Sequence, residues 1–425
     1  MDRNALNNLI AKAAMIGALD KIECYDKTTI YAIRRNNLTT IYIPDDVSIA
    51  NGTFRMSPFH IYKGNVKVVG GKGLVDTKSM FSSCEFDTLD LSELDTSNVR
   101  QFSYMFNAVR LNSELDLSSL NTSKAHCMKA MFQNLKCSKI TLGNFDTHNV
   151  EDMSYMFHDC SAEVDISQLD TRNVTNMSFM LSRTTGNIHG FDKLNTHNVI
   201  NMNALFSMVQ TYYLDISTLD TSNVVDCESM FRGVTARKIV INNDFSKSNT
   251  FAGMFQTTRC QKLVIEKFET SAENSMAGFF FGADIHKLSG LENIKTVGTT
   301  NLKAMFYSAK IVLDNPGIEK YDFVLNHFDT SKVEKYTSMF YNFDCRILDI
   351  SNFRASAGIK TDMMFKDCRA QVIEFGDFNP ITDEMRKGST YSLFSGCSSK
   401  INTAYLEVLD ALLLAKQLDS LSEED

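Results

Sequence analysis

One motif of this chain recurs at an interval near 25 residues, and that interval limits what the chain can fold into. Residues 219–231 read LDTSNVVDCESMF, with near-copies at 94–106 (LDTSNVRQFSYMF), 145–157 (FDTHNVEDMSYMF), 169–181 (LDTRNVTNMSFML) and 328–340 (FDTSKVEKYTSMF). Aligned on the Met-Phe pair, thirteen registers run from Met80 through Met105, Met131, Met156, Met180, Leu205, Met230, Met254, Phe280, Met305, Met339 and Met364 to Leu393. Ten of the twelve steps are 24–26 residues; the steps into Met339 and Leu393 are 34 and 29. A single unit of this size cannot bury its own apolar side. Stacking on its neighbours buries a continuous core, so the period predicts a solenoid.

Two local periodicities alternate within each unit. In NVEDMSYMFHDC, the residues Val150, Met153, Met156, Phe157 and Cys160 fall at helical spacing, which predicts a short helix with one buried face. The Asp-Thr-His-Asn ahead of it offers short polar side chains for the first turn. The following VDISQL alternates Val164 and Ile166 with Asp165 and Ser167, the period of a half-buried strand. The predicted fold is therefore an α/β repeat solenoid. Each leucine-rich-repeat-like coil holds a short strand and a short helix, with a parallel sheet on one face. Residues 1–70 supply an N-terminal cap or docking domain of amphipathic helix and β-hairpin, residues 71–400 the solenoid, and residues 401–425 a capping helix with an acidic tail. In that last helix Leu406, Leu409 and Leu413 are expected to cover the final coil.

The pattern [LF]-D-T-[SHR]-[NK]-V-x-x-M-x-x-M-F-x-x-C, followed by a strand such as LDIS, resembles the BspA-like bacterial surface-protein repeat. That family is of leucine-rich-repeat type. The resemblance covers about residues 74–400, and LTTIYIPDDVSIANGTF (38–54) is similar to a related repeat. It implies a leucine-rich-repeat-like solenoid with adhesion or protein binding at a cell surface. The N-terminal MDRNALNNLIAKAAMIGALDK reads as an amphipathic helix rather than a secretion leader, because Asn7, Asn8 and Lys12 interrupt its apolar run. Cytoplasmic synthesis is the expectation. A component of a virus or phage particle, docked through residues 1–70, and a cytosolic binding or inhibitor protein are the alternatives to a surface adhesin.

Composition narrows the function classes. A net charge of −8 argues against a general nucleic-acid or anionic-membrane binder. No run approaches the length of a membrane-spanning helix. Ten scattered cysteines without CxxC pairing predict free thiols and no metal site. Eight histidines occur without HExxH, GxSxG or phosphate-loop motifs, so no catalytic residue and no cofactor are predicted, and the chain reads as a non-enzyme. Its expected partner is a protein or a glycan.

Strand alternation places Glu114, Asp116, Ser118, Glu163, Asp165, Ser167, Tyr213, Asp215, Ser217, Lys238, Lys262, Glu266 and Asp349 on the solvent side. Asp116, Asp165, Tyr213 and Asp215 are the candidate partner contacts on that face. The expansion DNPGIEKYDFVLNHF adds Tyr321, Phe323 and His327. Phe323 has two readings, an exposed anchor or a side chain that folds back to seal the longer coil.

Overall fold

The structure, a computed structural model, describes residues 3–23, 28–50, 64–271, 273–315, 317, 319, 321–355, 358–381, 392–403, 410 and 412–417. It is a parallel-sheet β-solenoid of about thirteen turns, divided into two compact units at residues 198 and 199.

The first unit begins with the helix Arg3–Met15. A hairpin follows, in which Thr29–Arg35 and Leu38–Ile43 pair antiparallel around the two-residue loop Asn36-Asn37, with Asn36 at φ 54°. The parallel ladder starts immediately afterwards. Leu38–Ile43 pairs with Asn65–Gly70, and Asn65–Gly70 with Thr88–Leu94, so the sheet runs without a break past residue 70. Four more parallel strands, Leu115–Asp116, Lys139–Thr141, Glu163–Asp165 and Ile188–His189, form a second sheet in this unit. The second unit carries a five-stranded parallel sheet of Gln210–Asp215, Thr235–Phe245, Arg259–Thr270, Asp284–Ser289 and Lys310–Leu313. A four-stranded sheet of Phe323–Val324, Ile347–Asp349, Val372–Glu374 and Lys400–Asn402 follows it.

The segments expected to be helical are not helices. In the coil around Met156 the N–H groups of Met153, Tyr155, Phe157 and Asp159 donate to carbonyls of the next coil, at 2.9–3.0 Å. The N–H groups of Met156, His158 and Cys160 close three-residue steps back to Met153, Tyr155 and Phe157. The segment is a run of overlapping tight turns whose alternate N–H groups point along the stack, with Tyr155 and Asp159 in the left-handed region at φ 59° and 54°. A helix would direct every amide within its own segment and leave nothing for the neighbouring coil. The spacing misleads because turns that close at i and i+3 return those residues to one side, as a helix does.

The same bonds correct one register. Phe255 N donates to Phe279 O, and Phe280 N to Met305 O, so Phe279 rather than Phe280 stands in the methionine column. With that shift the second unit stacks eight rings, from Phe206 through Phe231, Phe255, Phe280, Phe306, Phe340 and Phe365 to Phe394. Centroid separations along it are 5.2–5.9 Å. Phe81, Phe106, Phe132 and Phe157 do the same in the first unit. Met80, Met105, Met131 and Met156 are fully buried beside them.

Each residue of the repeated DTSN has a separate task. Thr96, Thr122, Thr147, Thr171 and Thr221 are buried, and each donates its hydroxyl to a carbonyl one coil on, at 2.6–2.9 Å. Asn98, Asn149, Asn173 and Asn198 donate backwards, to carbonyls of the preceding coil. Asp95, Asp146, Asp170 and Asp220 accept the N–H two residues ahead, an Asx turn that fixes the corner. These residues close a corner and bind it to both neighbours, in place of the expected helix cap.

At the C-terminal end, residues 410 and 412–417 are helical, with Leu412 buried and Leu413 43% exposed. Lys416 donates to Ser399 O at 2.7 Å, which ties this segment to the last coil; Leu406 and Leu409 lie outside the described residues. The nine described cysteines are free thiols.

Candidate functional site

The solvent faces of the strands follow from their alternation. Of the residues expected there, Glu114, Asp116, Glu163, Asp165, Tyr213 and Ser217 are exposed and the remainder half-buried or exposed; none is buried. Three of the four candidate contacts on this face are also corner residues. Asp116, Asp165 and Asp215 each accept the N–H of the serine two residues on, at 2.9 Å. Donation by Ser167 holds the Asp165 carboxyl below its ordinary value. These aspartates are recurrent because the turn requires an acceptor. Asp165 in addition borders a cavity of about 400 Å³ with Lys139, Glu163 and His189.

Tyr213 and Asp215 are brought together. The Tyr213 hydroxyl donates to Asp215 at 3.0 Å, and that bond pushes the phenol above its ordinary value. Lys238, on the adjoining strand, sits 5.5 Å from the Tyr213 ring centroid, within reach of a cation–π contact. Arg237 lies likewise over Tyr212 and is hydrogen-bonded to its hydroxyl.

The 34-residue coil does what an insertion in a solenoid does. After Lys310–Leu313 the chain leaves the five-stranded sheet, and at Phe323–Val324 it begins the four-stranded one by pairing with Ile347–Asp349. A groove of about 980 Å³ opens beside the excursion, lined by residues that include His286, Lys287, Lys310, Asp314, Tyr321 and Arg346. Arg346 holds the excursion in place. Its guanidinium meets Asp322 at 2.6 Å and Glu319 at 3.2 Å, and its N–H donates to Tyr321 O at 2.7 Å. Asp322 is only 12% exposed, so this pair is screened less than a surface pair.

The three candidates from the expansion separate. Tyr321 is 54% exposed and lines the groove, at φ 73°. Phe323 is 1% exposed and packs edge-on against Phe306 and Phe343, at 5.0 and 4.9 Å. It seals the longer coil, and its place among the partner contacts is corrected accordingly. His327 is exposed and stacks edge-on against Phe328, outside the groove lining. Lys287, Lys310 and Arg346 were not among the residues singled out from sequence. The signal was the length of the expansion itself, which marks where the flanking strand ends line a gap.

Among the described residues no cluster of three His, Cys, Asp or Glu side chains is arranged to hold a metal ion. No described helix is long and apolar enough to cross a membrane. The fold and the groove together define a β-solenoid repeat protein with a polar face. The chain belongs to the family described as Mycoplasma protein of unknown function, DUF285, whose model matches in three successive stretches, residues 60–166, 156–263 and 249–378. No curated protein and no solved structure matches the chain.

Proposed function

We propose that the protein is a non-catalytic binding solenoid, comparable in role to the BspA-like surface repeats it resembles, and that it recognises a protein or glycan through the groove beside the expanded coil. The observation that carries this reading is the local break in monotony. Most corners of the array are near-copies, which gives a ligand little to discriminate. The expansion places Tyr321, Lys310 and Arg346 around one opening, with an exposed aromatic ring beside charges. The test is binding of purified chain to immobilised host-surface fractions and to a glycan panel. Tyr321→Ala combined with Lys310→Ala should reduce retention while the melting temperature moves by no more than a few degrees.

A second reading is favoured by the N-terminal unit, where Met15 and Ile16 at the end of the first helix are 86% and 71% exposed. Such residues suit docking into an assembly, for instance a virus or phage particle. Retention that survives the groove variants and disappears with Met15→Ser and Ile16→Ser would move the conclusion to that reading.

A further inference from the structure

The five-stranded sheet of the second unit carries a row of cations that the chain's net charge of −8 does not suggest. Lys238 and Lys262 are register partners on adjacent parallel strands, so their side chains leave one face about 4.8 Å apart. Like charges placed directly opposite weaken a sheet. Elsewhere on this sheet the register is compensated, with Asp284 standing between Arg259 and Lys310. The next strand extends the row with His286 and Lys287, both exposed and both lining the groove. Asp314 draws Lys262 to it at 3.2 Å. Lys287 has no ion-pair or hydrogen-bond partner among the described residues.

Resting on the binding reading above, we propose that this row is a site for an anionic polysaccharide, whose sulfate or carboxylate groups bridge the stacked lysines. Such groups add external anions to a row in which Lys262 already has Asp314 and Lys238 the Tyr213 ring, and they give Lys287 its first anionic partner among the described residues. The surroundings favour a sugar chain over an acidic peptide. Lysine is depleted from the cores of protein–protein interfaces, and this row is built on Lys238, Lys262 and Lys287. The large hydrophobic side chains exposed on this face and at the groove are Tyr212, Tyr213 and Tyr321, each with a hydroxyl. Gln261 and His286 are exposed on neighbouring strands of this sheet, and both side chains are able to exchange hydrogen bonds with sugar hydroxyl groups.

The experiment is titration of the full chain with a heparin oligosaccharide, with poly-glutamate of similar charge and with neutral dextran, at low salt and at roughly 0.15 M. Heparin should bind and weaken with salt, dextran should not bind, and poly-glutamate should bind about tenfold more weakly. Lys238→Glu should lower heparin affinity by about tenfold or more. Lys287→Ala, at an exposed site, should lower affinity several-fold and serves if Lys238→Glu does not fold. Equal affinity for poly-glutamate, unchanged affinity in both variants, or no heparin binding would each overturn the proposal. Should heparin fail while Tyr321-dependent retention of another ligand persists, the polysaccharide site is wrong and the binding solenoid stands; loss of both removes both.

Discussion

Single residues in this array are constrained by hydrogen bonds that cross coils. Thr147 is fully buried, and its hydroxyl meets Asp170 O at 2.9 Å. Thr147→Val keeps the shape and strands that carbonyl, so urea unfolding should show a loss of about 1–2 kcal/mol; an unchanged midpoint would mean the threonine column contributes nothing. The aspartates of the corners make a different prediction. Donation from the hydroxyl and backbone of Ser97 holds the Asp95 carboxyl below its ordinary value, and Ser92 and Ser246 act likewise on Asp90 and Asp244. A carboxyl whose folded value is depressed stabilises the fold above its unfolded value, about 3.9, and that contribution is lost as pH falls through the folded value. The contribution of these carboxyls to the denaturant midpoint should therefore be constant near neutrality and be lost below about pH 4. Asp95→Asn keeps the acceptor and should reduce that slope, in line with the asparagines the chain itself uses at Asn121 and Asn195.

At the scale of the element, the tight-turn run depends on backbone conformation more than on space. Gly278 lies at φ 62°, and a Cβ there would find its nearest atom at 3.6 Å. Gly278→Val has room but forces a β-branched residue into the left-handed region, a cost of about 2 kcal/mol or more. Ala304, at φ 53° in the matching position of the next coil, should accept glycine within about 1 kcal/mol. If both variants melt alike, the left-handed corners are not what holds these coils. Far-UV circular dichroism tests the element type directly. A spectrum dominated by helix would contradict the turns found where helices were expected.

For the molecule as a whole, each coil contacts mainly its neighbours, so stability is a sum of local terms and interfaces. Met156 is fully buried in the first unit, and Met156→Asp places an unpaired charge there, costing several kcal/mol. Hydrogen exchange should show the loss of protection centred on the coil of Met156, extending to those of Met131 and Met180 and fading beyond them within that unit. Asp165→Asn, on the exposed face, should leave the pattern unchanged.

The sequence by itself determined the period, the buried columns and the strand faces, because alternation and recurrence are written in side-chain type and stacking only reads them out. Met156, Val164 and Asp165 went where their polarity sent them. The β-hairpin within residues 1–70 was legible from the same alternation, and the structure sets its left-handed corner at Asn36, a short polar residue that tolerates it. Only the tertiary structure decided between helix and turn in the Met-Phe segments. Both conformations return residues three apart to one side, and the choice rests on where the N–H groups find partners, which lie in a different coil. The same holds for the single-residue register at Phe279 and for Phe323, whose burial depends on rings at Phe306 and Phe343 brought to it by the stack. The groove was legible only as an excess of residues, because its walls come from strands 24 to 60 positions apart in sequence, from His286 to Lys310 and Arg346, and no local pattern records which side chains a parallel stack sets side by side.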